Sequence, residues 1–510
     1  MARRSVVLLA VALASVTAIS LALLKRGPQP EPTPEAATVA DAEVRAACGT
    51  CHAFPDPEIL PADTWRRVIE QMAYLSTYLR ESIYATGFAI DEMATWYELR
   101  APQQLPVEMR LTREEPSPVR FRRRFIGLGS DSGPGIATVE RLAANLLSGA
   151  SPMLTAPNMA NGSIHLFSMA QGPRRIGEAG HPVRAIAGDF DGDGRDDLVI
   201  SDLGNPMPTD ELVGRVLVAR HTADGDFAFE TILEQVGRIA DARPMDLDGD
   251  GDLDIVAASF GMLRSGGIYV LRNETARGGA LDFRVEKISE RPGAVSVMPF
   301  EELRDGSRHG FAAAFAQHYE MISVFYPVPG GYDEHVIFRA PHPNWGVSNA
   351  RAVDFDGDAD TDFLLAHGDT LDDGIAFKFY HGVEWLENRG GGRFLEHPIG
   401  TLYGAHSVEA TDLDGDGDLD VVACGFLPQV QLPVPKGRMR VDSVVWFERT
   451  DAEWIPWSIE FNHPRHTGMT VIDLNEDGLP DIVAGINRAW DLKDREYGPS
   501  LEVWFNQGPL

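Results

Sequence analysis

Five aspartate-rich loops recur along this 510-residue chain at intervals of about 55 residues, a period that calls for stacked or ringed supersecondary units instead of one continuous core. They read DFDGDGRDD from Asp189, DLDGDGDLD from Asp246, DFDGDADTD from Asp354, DLDGDGDLD from Asp412 and DLNEDGLPD from Asp473. Carboxylates at positions 1, 3, 5 and 9 of a tight loop, with glycine at 6, set hard oxygen ligands around one cation of calcium size. The candidate ligands are Asp189, Asp191, Asp193 and Asp197; Asp246, Asp248, Asp250 and Asp254; Asp354, Asp356, Asp358 and Asp362; Asp412, Asp414, Asp416 and Asp420; and Asp473, Asn475, Asp477 and Asp481. A backbone carbonyl at position 7, such as that of Asp252, completes each set. Up to five Ca²⁺ are expected, with the third loop weakest because Ala359 stands where the turn wants glycine. The competing reading is a set of Asp/Gly turns without metal. An EF-hand is excluded, since it needs flanking helices and a glutamate at position 12. Here the loops lead instead into short β-rich runs, DLVISD, DIVAAS, DVVACG and DIVAGI.

Around each loop the order is constant: an apolar strand before it (VRAIAGDF), one after it (DLVISD), a third (RVLVAR) and a fourth (FETIL), which makes a four-stranded blade. Loops two and three begin 108 residues apart, room for a further unit, and PFEELRDGSRHGFAAAFAQ supplies one, with Glu302 where the first aspartate would stand. SPMLTAPNMANGSIHLF supplies another before Asp189, which brings the count to seven. The last unit ends after its third strand, LEVWFNQG, while VRFRRRFIGL from Val119 is a strand without a unit; it is expected to complete the last blade. Such closure removes sheet edges that would template aggregation. A solenoid of the same repeats would leave that strand unexplained.

These loops and runs resemble the FG-GAP or VCBS repeats of integrin-type β-propellers, over residues from about 119 to the end. The resemblance implies an all-β fold, a seven-bladed β-propeller with calcium-binding DxDxDGxxD loops over 119–510.

The chain holds three cysteines, and two stand together in AACGTCHAF: Cys48 and Cys51, followed by His52. CxxCH in an exported chain reads as covalent haem attachment, both thiols forming thioethers and the imidazole binding iron. A disulfide, a thioredoxin-like pair or half a zinc site are the competing readings. Zinc would need further ligands nearby, and His52 is the only histidine before His165. Residues from about 41 to 105 resemble small monohaem cytochrome c domains, an all-α unit with one covalent haem c. With no second histidine at hand, a protein-derived distal ligand would be methionine. Met72 shares a helical face with Trp65, Val68, Ile69 and Leu79 and is the preferred ligand, with plain core packing as its competing reading; Met93, or an open distal site, is the alternative.

Upstream, Arg3 and Arg4 precede an apolar stretch from Val6 to Leu24, with Lys25 and Arg26 after it. That length just spans a bilayer, so 1–26 is expected to be an uncleaved anchor instead of a cleaved signal, with 27–40 a Pro-rich tether. Either way the rest is exported, to the periplasmic or cell-surface side of a bacterial membrane. The net charge is −31, from 76 acidic and 45 basic residues, and 24 of the acidic ones lie in the five loops. Five divalent ions would bring the balance to about −21, which still argues against a nucleic-acid partner.

Residues at the start of each first strand should ring one mouth of the channel: His181, Arg184, Arg243, Asn349, Arg351, His406, Glu409 and His466. They form a candidate partner or substrate site, or else solvated loops; Cys424 in VVACG reads as a core thiol. The leading expectation is a membrane-anchored c-type cytochrome passing single electrons to a redox partner docked on the propeller. A recognition propeller with an accessory haem, and a propeller dehydrogenase feeding the haem from a small molecule the sequence does not identify, are the alternatives.

Overall fold

Seven four-stranded antiparallel sheets follow one another around a closed ring. The computed structural model describes residues 41–49, 52–79, 90–108, 110–129, 133–142, 152–302, 308–317, 319–371, 375–428, 440–488 and 498–509. The expected anchor and tether, 1–40, and Cys51 lie outside these residues. No helix among the described residues is long and apolar enough to cross a membrane.

The innermost strands are Glu140–Leu142, Pro182–Gly188, Ile239–Met245, Ala294–Glu302, Val347–Val353, Ala405–Thr411 and Met469–Ile472. Each packs on the next, and the seventh packs on the first. Blades two, three, five, six and seven carry the aspartate loops between their first and second strands; blades one and four do not. Val119–Ile126 is the outer strand of blade seven, antiparallel to Leu501–Pro509 with Arg123 opposite Trp504. The strand without a unit therefore closes the ring, as its sequence required.

Second strands such as Asp254–Ser259 are buried throughout, because each blade is packed on both faces, and this is why they read as unbroken apolar runs. The core is divided among the blade interfaces. Val199 and Val218 of blade two meet Ile255 and Leu271 of blade three. Leu364 and Val383 of blade five meet Val421 and Phe447 of blade six, and Val483 and Leu501 of blade seven meet Leu154 and Phe167 of blade one. Gly400 marks how close this packing is: a Cβ there would stand 2.3 Å from the Phe447 ring.

Ahead of the ring lie α1 (Asp41–Cys48), a 3₁₀ turn (Pro57–Ile59), α2 (Ala62–Leu79) and α3 (Ile90–Glu98). Asp56 caps the turn by accepting the Glu58 amide at 3.1 Å. Arg66 ties α2 to α3 through Glu98 and Asp91, each at 2.8 Å. The connection to Val119 is strapped along blades five and six. The Glu108 amide donates to Tyr403 Oη at 2.8 Å, Leu111 packs among Phe377, Tyr403 and Leu427, and the Arg113 amide donates to the Pro456 carbonyl at 3.1 Å.

Candidate functional site

The aspartate loops occupy one end of the ring. In four of them three carboxylate oxygens converge within 4.8 Å: Asp189, Asp191 and Asp197; Asp246, Asp248 and Asp250; Asp354, Asp356 and Asp358; Asp412, Asp414 and Asp420. The fifth keeps the same turn, with the Asp477 amide donating to Asn475 Oδ1 at 2.9 Å and the Gly478 amide to Asp473 Oδ2 at 2.8 Å. Position 9 differs from the others. Asp197, Asp254, Asp362, Asp420 and Asp481 are buried at the start of the second strand. Asp197 accepts the Phe190 amide at 3.3 Å and the His221 amide at 2.7 Å, and Asp481 accepts those of Leu474 at 3.1 Å and Asn506 at 2.9 Å. This residue thus fastens the loop to the third strand, and in two loops, as Asp197 and Asp420, it also joins the converging ligand oxygens. Burial pushes Asp197 and Asp420 up to about 7 and Asp362 and Asp481 up to about 6, a cost that a divalent cation would offset. Left-handed backbone is needed at positions 4 and 6 alike, so Glu476 (φ 62°) and Ala359 (φ 75°) adopt it in place of glycine.

The bore is filled. Arg184 pairs with Glu140 and, at 3.0 Å, with Asp241; Arg243 lies 3.0 Å from Asp241. Arg351 holds Glu409 at 2.6 Å and reaches across the ring to Glu140 at 3.7 Å. Burial opposes ionisation of Glu140, but Arg184 and Arg351 outweigh it and hold its pKa at about 2. The residues expected to form an open rim therefore include a buried, charge-balanced plug. Of the remaining ones, His181 donates from Nδ1 to the Met159 carbonyl at 2.7 Å and His406 to that of Thr467 at 2.9 Å, while Asn349 is buried. Glu140 and Asp241 were missed in the sequence. Asp241 was legible as an ionisable residue five positions before its loop, where Arg184 precedes its own by the same distance.

His466 is buried against Glu460, at 2.9 Å, and Glu502, at 3.9 Å, and Arg123 from the closing strand pairs with both glutamates. Cys424 is buried and donates to the His466 carbonyl at 3.4 Å, as a core thiol would.

The helical unit lies at the end of the ring opposite the aspartate loops. Trp65 stacks on Tyr97 at 4.0 Å, and Phe54 and Trp96 complete an aromatic group around the segment that follows Cys48 and His52. Trp65 Nε1 donates to the Pro57 carbonyl at 3.0 Å, Tyr97 Oη to that of Pro55 at 3.1 Å, and Trp96 Nε1 to Asp41 at 2.9 Å. The first two bonds pin the chain leaving the CxxCH segment to α2 and α3, and the third ties α3 to α1. Cys48 ends α1, its thiol pKa raised by burial. His52 donates from Nδ1 to the Ala53 carbonyl at 2.8 Å, which leaves the Nε2 lone pair for a metal, and burial lowers its pKa and keeps it neutral. Met93 is buried with Sδ 3.6 Å from Cys48 Sγ, whereas Met72 is half-buried on α2. The donor types fit a haem c: the Cys48 thiol and Met93 thioether share one apolar cluster, and the His52 imidazole lies four residues on from Cys48 with Nδ1 committed to a carbonyl.

Blade five forms part of that pocket. Tyr380 and Trp345 pack in the same apolar cluster as Cys48, Trp65 and Met93, and Tyr380 Oη donates to the Ile59 carbonyl at 3.3 Å.

Comparison with known proteins agrees with both halves. A model of the FG-GAP-like repeat matches residues 189–257 and 354–423. A model of the dihaem cytochrome c family matches 44–95. The chain is a seven-bladed propeller in which FG-GAP-like repeats are matched over those two stretches, preceded by a helical segment that matches the dihaem cytochrome c family. The family model is named for two haems, but this chain contains a single CxxCH. No curated protein matches the chain. Among solved structures, that of BBS1N in complex with ARL6DN is similar at 9% identity, covering 77% of this chain and 98% of that one, with a TM-score of 0.44.

Proposed function

We propose that this protein is an exported one-electron carrier in which Cys48 and Cys51 attach one haem c, His52 is its proximal ligand, and the propeller presents it to a redox partner. The observation that carries the reading is the neutral His52, oriented through Nδ1 with its second nitrogen free, inside the segment matched by the cytochrome family. When bound, the haem supplies the one-electron chemistry. The chain's own residues hold it, orient the imidazole and keep water out with Trp65, Trp96 and Tyr97. Met93 is the better-placed distal ligand, ahead of Met72, because it is the methionine buried beside the attachment sulfur. Ca²⁺ in up to five loops would stiffen the blades and take no part in the redox step. The apolar stretch from Val6 to Leu24 would anchor the chain on the periplasmic side.

The test is maturation of the full chain in a host that attaches c-type haem, followed by a denaturing gel stained for haem and by oxidised and reduced spectra. Haem should stay on the chain, and the weak near-infrared band of sulfur-ligated ferric iron should vanish in Met93→Ala and persist in Met72→Ala. A chain without covalent haem would leave a recognition propeller as the surviving account.

A further inference from the structure

We infer that the propeller itself, through Trp345, His342 and His381, provides the hydrogen-bond donors for the haem propionates, so that one haem is held jointly by the helical unit and blade five. This rests on the haem reading above and adds to it a role for residues roughly three hundred positions away in the chain.

The starting point is a set of buried donors with nothing to donate to. Trp345 Nε1 is buried without a partner, and an indole N–H can only donate. His381 is buried and accepts the Gly404 amide on Nδ1 at 3.4 Å, so its proton is on Nε2, which has no acceptor. His342 is buried with Nδ1 unpartnered. His367 stacks on Trp345 at 4.5 Å and lies by the Tyr380 backbone without an aligned hydrogen bond. A buried donor left without an acceptor is destabilising, so several in one place call for an acceptor-rich group.

These side chains are contiguous. His342 meets Tyr380 at 4.5 Å and Trp345 at 5.3 Å, edge to face, and Trp345 lies parallel to Tyr380 at 5.8 Å. Trp345 and Tyr380 belong to the cluster that contains Cys48 and Met93, which places the unpaired donors beside the pocket where the haem attaches. The cluster holds one acid, Glu384, 3.9 Å from His367 Nε2, and one base, Lys378, whose Nζ donates to the Asp369 carbonyl at 3.3 Å. Burial, with Lys378 adding to it, lowers His342 to about 3, so this imidazole is a neutral donor, and Lys378, itself buried, brings positive charge to the same cluster. A haem c ends in two propionates, acceptors of the kind these donors lack. A free carboxylate would satisfy the same donors, and the experiment separates the two.

The full chain is matured with haem, and midpoint potentials are measured between pH 6 and 8 for wild type, Trp345→Phe and His342→Phe. Trp345→Phe removes the donor and keeps the ring; His342→Phe tests the same wall should the first variant fold poorly. Both should retain covalent haem but titrate at a lower potential at pH 8, because a propionate stripped of its donors keeps its negative charge unscreened near the iron. The redox-linked proton should also move to higher pH. Variants that titrate on the wild-type curve overturn the inference. So does saturable stabilisation by acetate that is lost in Trp345→Phe while the potentials coincide, since the donors would then serve a free carboxylate. A wild-type chain without haem on the stained gel sinks the underlying reading, and is seen before any potential is measured.

Discussion

The two ends of the propeller are built on opposite principles. At one end five near-copies of a nine-residue loop repeat the same carboxylates, the same left-handed turns and the same buried aspartate fastening loop to sheet. At the other end the side chains are particular to one place: His342 and Trp345 come from the connection between blades four and five, Tyr380 and His381 from blade five, and Glu460, His466, Glu502 and Arg123 from where the ring closes. Repetition makes an end that is ionic, stabilising and readable. The unrepeated end is where a single partner, the helical unit matched by the cytochrome family, is accommodated, and its chemistry comes from residues that only folding brings together.

The comparison is broken most forcefully at the repeated end. Chelation of divalent ions should lower Tm by on the order of 10 °C or more, because every loop then carries uncompensated charge, and should leave haem on the chain. Calorimetry with and without chelator, with the haem spectrum recorded alongside, checks both halves. An unchanged Tm would mean that the loops are metal-free turns.

Between the ends lies the plug. Arg351→Ala leaves Glu409 and Glu140 short of a cation in the bore and should cost about 3–5 kcal/mol in denaturant unfolding, without moving haem attachment. A loss under ~1 kcal/mol would show that the bore is wet and the pairs screened.

A smaller effect sharpens the account of ring closure. Burial, with Glu460 nearby, pushes Glu502 up to about 7, and His466 is also raised because Glu460 and Glu502 outweigh the opposing effect of its burial. Both groups have folded pKa values above their unfolded ones, so the stability they contribute is present at acid pH and is lost as pH rises, in the case of Glu502 through about 7. Arg123, Glu460 and His463 face the same cluster. Wild-type stability should fall between pH 5 and 8, and Glu502→Gln should flatten that slope; identical slopes would remove this cluster from the account. The smallest change is Ala359→Gly, which relieves a left-handed alanine and should stabilise by about 1 kcal/mol. A loss of Tm would mean that the loop tolerates alanine for a packing reason.

Much of this was legible in the sequence because it recurs. The blade count followed from loop spacing, including the two blades without ligands, and the role of Val119–Ile126 followed from a last blade one strand short. The left-handed requirement at position 4 was not extracted, although Gly192, Gly249, Gly357 and Gly415 all occupy it. Met72 looked favourable on helical periodicity, but periodicity shows a face and not what lies opposite it; Met93, on a shorter helix, packs on Cys48. The wall formed by Trp345, His342 and His381 gave no local signal, since its meaning depends on a helical unit encoded far upstream.

The central claim, one haem held at the unrepeated end and calcium at the repeated end, is tested most directly by mass spectrometry of the matured full chain under native and then denaturing conditions. The account predicts one covalent haem per chain that survives denaturation, with up to five divalent ions lost on chelation. Two haems, no haem, or a native mass that chelation does not change would contradict it.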